Sequence, residues 1–321
     1  MMQFYKKRDF GTLISDTFQF FKIYGKNYFR SFLLLNGILL IAMVAVFIFG
    51  YRELLMQIFG SNLSGESYYF EKYFQENAAM LIVVIGIVAV LFLLLMILVY
   101  LFPIFYLKRV SAGQQKVSND DILSDIKANL GKIAIFAVCS IFIIYPLAIL
   151  VFGITYLLMI IIIGFFLMIL IMPAMMNAIF FLMYDYFNTD KGFFQSLSYG
   201  IRAQFSYPHG RERSPFWKYW GSTVIIYFII NIVVGIFSMV PAFIIFSRAL
   251  TVPEHGEISE NPFEGATGII IFVIYGISFL VSFILNNILT VNAGLMYYDS
   301  RVDLHQKENL SEIESIGVHE E

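Results

Sequence analysis

Within the long apolar stretches of this 321-residue chain, the side chains able to do chemistry are mainly carboxamides and hydroxyls, among them Asn36, Ser140, Asn177, Asn231, Ser238, Ser278, Ser282, Asn286 and Asn287. A carboxamide both donates and accepts hydrogen bonds, so several of them in hydrocarbon can hold or pass a polar solute. Asn177, Asn231, Asn286 and Asn287 carry that reading, as a possible intramembrane polar cluster. The same residues can instead bond helix to helix, a role worth roughly 0.6 to 2 kcal/mol each. Covalent chemistry finds less support. All four histidines (His209, His255, His305 and His319) lie outside the apolar stretches, which contain no Asp, Glu, Lys or Arg. The sequence holds no HExxH pair, Walker loop, dinucleotide fingerprint or GxSxG elbow. A single cysteine, Cys139, provides neither a disulfide framework nor a multi-cysteine metal site. The expectation is therefore a chain with no catalytic residue, no cofactor and no metal, that is, not an enzyme.

A second group of residues pairs cations with aromatic rings. In FGTLISDTFQFFKIYGKNYFR, Lys22, Lys26 and Arg30 step by four, while Phe10, Ile14, Phe18, Phe21 and Tyr28 recur at helical spacing. This spacing predicts a helix lying in the headgroup plane, rings toward lipid and cations toward water. The segment HGRERSPFWKYW groups Arg211, Arg213 and Lys218 with Trp217 and Trp220. Both segments suit docking of anionic lipid or of an acidic membrane-protein partner. Topology-setting charge and interfacial anchoring account for the same residues. A net charge of −2 offers no footprint for nucleic acid. The acidic segment EHGEISENPFE, with Glu254, Glu257, Glu260 and Glu264, reads as a solvated loop.

The elements that must position these residues follow from composition. Hydrophobic residues make up 59% of the chain and charged ones 14%, against about 45 to 50% and about 25% in soluble domains. A helix needs about 20 apolar residues to cross hydrocarbon, and six blocks supply them: 32–50, 79–107, 133–152, 155–184, 222–246 and 268–291. The uncharged tract 133–184 is too long for one crossing, and Gly153 marks the expected fold-back. Basic residues then orient the spans. The N-terminal segment holds six, the 108–132 loop five, the 185–221 loop five and the tail two, whereas the intervening loops 51–78 and 247–267 hold only Arg52, Lys72 and Arg248. By the positive-inside rule both termini are cytoplasmic. Prolines 103, 146, 173 and 241 fall within spans, as kinks or hinges. A bend at Pro103 would lay the end of the second span along the surface.

Each pair of spans follows a segment of similar build. LISD at 13–16 is echoed by ILSD at 122–125, with Ser118 or Asn119 as the helix cap, and KGFFQSLSYGIRAQF opens the third unit. Exits match as well: YLKR at 106–109, NAIFFLMYD at 177–185 and NAGLMYYD at 292–299, with interfacial tyrosines and a charge that stops the span. This predicts three parallel repeats of surface helix plus two-span hairpin. The boundaries are an amphipathic segment at 1–31, hairpins at 32–107, 108–184 and 185–291 (the last two each led by a surface helix), and a tail at 292–321.

The F-rich amphipathic helix, GKN or LGK before a span and Y-D after one resemble a set of uncharacterised bacterial six-span proteins. These are similar to the membrane domain fused to some glycerophosphodiester phosphodiesterases, in the stand-alone version common in Bacteroidota. The resemblance implies a bacterial inner-membrane protein and carries over no catalytic residue. What remains is a scaffold or accessory subunit of a larger membrane assembly, with a transporter or lipid-handling protein as the alternative. Orientation is directly testable. A cysteine placed at Ser64 or Glu257 is expected to react with an impermeant thiol reagent from outside the cell, and one at Gln114 or Ser214 is not; reversed labelling would invert the topology.

Overall fold

A computed structural model describes residues 2–51, 67–206, 214–250 and 265–301. Among these the chain is all-α. In order it forms α1 (Phe10–Val46, continuing as a π turn, Phe47–Tyr51), α2 (Ser67–Ser111), α3 (Asn119–Ala128), α4 (Leu130–Cys139), a π turn (Ser140–Ile144), α5 (Tyr145–Leu158), a 3-10 turn (Met159–Ile161), α6 (Ile163–Asn188), α7 (Phe193–Arg202), α8 (Phe216–Leu250) and α9 (Gly265–Ser300). Six stretches are long and apolar enough to cross a membrane: Phe10–Gly50, Gln75–Ser111, Leu130–Ile161, Ile163–Asn188, Phe216–Ser247 and Gly265–Ser300. The chain is a multi-pass membrane protein. The acidic loop 254–264, Arg211 and Arg213, and the tail beyond Arg301 lie outside the described residues.

Three expectations about boundaries are corrected. No break separates an amphipathic segment 1–31 from a first span at 32, because α1 is one helix of 37 residues. Likewise α2 does not end at Pro103 but continues to Ser111, where Lys108 and Arg109 occupy its last turn and favour the negative end of the helix dipole. Third, the fold-back falls not at Gly153 but at Met159–Ile162, where Ile162 takes φ 65°. The glycine this turn requires is Gly164: a Cβ there would strike the backbone of Thr155, Leu158 and Met159. Gly153 sits in α5 with nothing near its absent side chain. Between α4 and α5, Pro146 cannot donate to the carbonyl of Phe142, and the helix passes through the π turn just before it.

The helices divide into two compact units, and α1, α2, α8 and α9 contribute to both. Unit 2 (32–99 and 229–286) is held by apolar contact. Ile271 and Phe272 are fully buried against Ile48, Ile244, Ile245 and Tyr275, Phe47 stacks on Phe279, and Ser238 and Ser278 share a hydrogen bond of 3.2 Å. Outward-facing side chains such as Ile38, 82% exposed, meet the lipid.

Unit 1 (1–31, 100–228 and 287–321) contains the C-terminal ends of α2, α6 and α9. These ends are its core: Leu101, Phe102 and Ile104–Leu107, Phe180–Phe187, and Val291–Tyr298 are buried almost without interruption. Such all-round burial is what an internal helix shows. Tyr184 lies over Gly294, donates to the carbonyl of Thr290 at 2.9 Å and stacks on Tyr297 at 5.7 Å. A Cβ on Gly294 would come within 2.5 Å of Leu107 and 2.6 Å of Tyr184. Around this core, α3 carries a capping box of Ser118 and Asp121 and buries Ile122 and Ile126. The backbone N–H of Ser118, and then the Gln114 amide, hold the Asp121 carboxyl below its ordinary range. Helix α7 meets α6 backbone to backbone, since a Cβ on Gly200 would come within 2.7 Å of the Ala178 carbonyl. Overpacking of a tight core typically costs about 1–3 kcal/mol. Gly294→Ala is therefore expected to lower the melting temperature of the purified protein in detergent, while Gly235→Ala, with nothing within 4 Å, leaves it unchanged or raises it.

Candidate functional site

The charges that follow the apolar runs are not solvated stops. Asp185 and Asp299 lie within the last turns of α6 and α9 and are completely buried. Each has a lysine. Lys191 Nζ reaches the two oxygens of Asp185 at 3.0 and 3.1 Å and sits over the Tyr199 ring, whose hydroxyl lies 2.6 Å from Ser300 Oγ. Lys218 Nζ donates to Asp299 Oδ2 at 2.6 Å; the Tyr219 hydroxyl donates to the same oxygen and the Arg8 backbone N–H to Oδ1. Burial of a carboxylate is tolerated only with this degree of pairing and hydrogen bonding.

Arg8 extends the network into the N-terminal segment. Lys218 also donates to the Arg8 carbonyl at 2.7 Å. The buried Arg8 guanidinium donates to the carbonyls of Gln3, Phe4 and Lys6 and to Asp16 Oδ2 at 2.8 Å, and Lys6 joins the same carboxylate. Burial pulls the Arg8 guanidinium down from its ordinary value, opposed by Asp16 and Asp299; arginine remains protonated regardless. Phe4 and Tyr5 pack edge-on against Tyr298. Residues 2–8 thus form a strap tied to the ends of α8 and α9.

Further along the same helices lies a belt of neutral polar groups. Asn292 Nδ2 donates to Thr17 Oγ1 and to Ser222 Oγ, both at 2.9 Å, and Thr223 donates to Asn177 Oδ1 at 2.6 Å. The asparagines that open NAIFFLMYD and NAGLMYYD are therefore held by adjacent residues of α8. Tyr28 donates to Asn287 Oδ1 at 2.7 Å. Asn177 Nδ2 is buried without a hydrogen-bond partner.

The four proposed amides thus receive different placements. Asn177 and Asn287 are buried and bound to Thr223 and Tyr28 respectively; Asn286 is half-buried, and Asn231 lies on an exposed face of α8. Sequence reasoning overlooked Asn292, because ending the sixth span at 291 stopped one residue short of it, and passed over its hydroxyl partners Ser222 and Thr17 and the Thr223 that holds Asn177. The repeated NA before the exit motif was the available signal.

Of the docking residues, Lys22, Lys26 and Arg30 are exposed along one line of α1. Lys218 faces inward, consumed by Asp299, a correction to its place on the docking surface. Trp217 is exposed, while Trp220 donates through Nε1 to the Leu170 carbonyl at 3.1 Å, one residue from the carbonyl that Pro173 leaves without a donor. One of the rings expected to face lipid, Tyr28, instead lies on the core face of α1. That face is Leu13, Thr17, Phe20, Tyr24 and Tyr28, whereas Phe10 and Phe18 are 40% and 43% exposed beside it. Partner helices select this face, which periodicity alone could not separate from its neighbour.

Among the described residues no three His, Cys, Asp or Glu side chains come together as metal ligands. Comparisons with protein-family models, with curated proteins and with solved structures find no match. The buried ion pair makes a clear mutational demand. Removing one member of such a pair typically costs about 3–5 kcal/mol, so Asp299→Leu is expected to abolish or sharply lower the thermal stability of the purified protein, whereas Asp299→Asn, which keeps an acceptor, is milder.

Proposed function

We propose that this chain is a non-enzymatic scaffold or accessory subunit of a larger assembly in a bacterial inner membrane, with both termini cytoplasmic. The observation that carries this reading is the cross-tied end of unit 1. Three helix ends bury their aromatic residues in one another, and Asp185 and Asp299 are each locked to a lysine. Such a frame resists the sliding or rocking that transport needs, and offers neighbours a fixed surface.

Outward-facing elements give the frame something to present. Helix α7 turns Phe194 and Ile201 outward. The stretch Leu130–Ile161 has none of its most apolar window buried, leaving its flank to lipid or to another membrane protein. The excess of Lys and Arg on alternate loops supports the orientation, and the resemblance to bacterial six-span proteins supports the inner membrane.

A transporter or lipid-handling protein is the second reading, favoured by the unpartnered Asn177 amide beside Thr223. Mild extraction of the tagged protein, followed by cross-linking and mass spectrometry, separates the two. A stoichiometric membrane-protein partner is the expected outcome. Recovery of the protein alone with a defined small molecule, lost on Asn177→Ala, would replace the scaffold by the transporter.

A further inference from the structure

Helix α1 has three faces between residues 13 and 30. One is buried in unit 1; a second carries Ile14, Phe18, Phe21 and Phe29, partly exposed. The third holds Lys22, Lys26 and Arg30, exposed and without a carboxylate partner among the described residues. Unlike Lys218, Lys191 and Arg109, which are tied to Asp299, Asp185 and Asp125, these three cations serve no internal charge. An exposed, aromatic-flanked row of three cations is complementary to an external anion.

The continuity of α1 says where that anion sits. The helix continues without a break past residue 31, so its cations lie at successive distances from residue 32, where the first uncharged apolar block begins and the hydrocarbon boundary is expected. At 1.5 Å per residue, Arg30 is about 3 Å along the axis from that boundary, Lys26 about 9 Å and Lys22 about 15 Å. The headgroup layer on each side is only about 5–7 Å thick. Lysine and arginine reach toward it by extending their side chains, which brings Arg30 and Lys26 to phosphate level and leaves Lys22 at the outer rim.

We propose that Arg30 and Lys26 grip the phosphate of an anionic glycerophospholipid, with Lys22 as a weak outer contact and the Phe29 ring beside the headgroup. The proposal rests on the membrane orientation given above but not on any protein partner. An acidic protein docking along α1 would use all three cations alike, and a soluble phosphate would need no hydrocarbon boundary. Graded dependence on depth is the signature of a lipid.

The test uses the full chain in phosphatidylcholine nanodiscs doped with phosphatidylglycerol spin-labelled on its acyl chain, reading the fraction of label immobilised by the protein. A preference for phosphatidylglycerol over equally labelled phosphatidylcholine is expected. Arg30→Gln and Lys26→Gln each weaken that preference about fivefold, Lys22→Gln under about twofold, and Arg30→Lys retains most of it. All three sites are exposed, so unchanged melting temperatures verify the fold. Three results would overturn the proposal: no headgroup preference in the unaltered protein, equal losses at all three positions, or displacement by inorganic phosphate at an ionic strength matched with chloride. Because the nanodisc contains no other protein, these results leave the scaffold reading to its own experiment.

Discussion

A membrane helix ordinarily ends in water, but in unit 1 the helix ends meet one another. Tyr184 of α6 fits over Gly294 of α9 and reaches the Thr290 carbonyl, with Leu107 of α2 against the same glycine. This junction brings three C-termini into a single core whose largest members are tyrosines. Tyrosine suits the task because its ring fills apolar space while its hydroxyl satisfies a carbonyl that water cannot reach. Most other features of unit 1 accommodate this junction.

Once the helix ends are buried, their polar groups need partners from inside the protein. Asp185 and Asp299 draw in Lys191 and Lys218, and Asp299 also accepts from Tyr219 and from the N-terminal strap at Arg8. Lysines serve carbonyls too: Lys108 donates to Phe187 and Lys132 to Thr189, near the end of α6. Much of the basic charge that orients the chain in sequence is therefore occupied inside the fold. Among the cations left exposed, Lys22, Lys26 and Arg30 stand in one row on the outer face of α1.

Particular residues show what could be read in advance. The six apolar stretches, the Ser118 cap and the line of Lys22, Lys26 and Arg30 were legible because each depends on local composition or on spacing within one helix. The turn at Ile162 was not, since a preceding glycine at 153 offers the same conformational licence and only the close approach at Gly164 distinguishes the site. Asn292 escaped notice because a hydropathy boundary separates solvents, not hydrogen-bond partners.

By itself the amino-acid sequence determined the class of protein, the number of spans and the exposed basic row, since transfer into hydrocarbon and helical periodicity are properties of short segments. Tertiary structure alone decided that Lys218 is internal, that Asp185 and Asp299 are buried, and that Asn177 and Asn292 are both read by α8. A charge flanking a span looks the same in sequence whether it faces water or a counter-ion. For Asp299 only the approach of α8, 81 residues away in the chain, supplies the counter-ion, and for Asn177 and Asn292 the same helix, 46 and 70 residues away, supplies the hydrogen-bond partner.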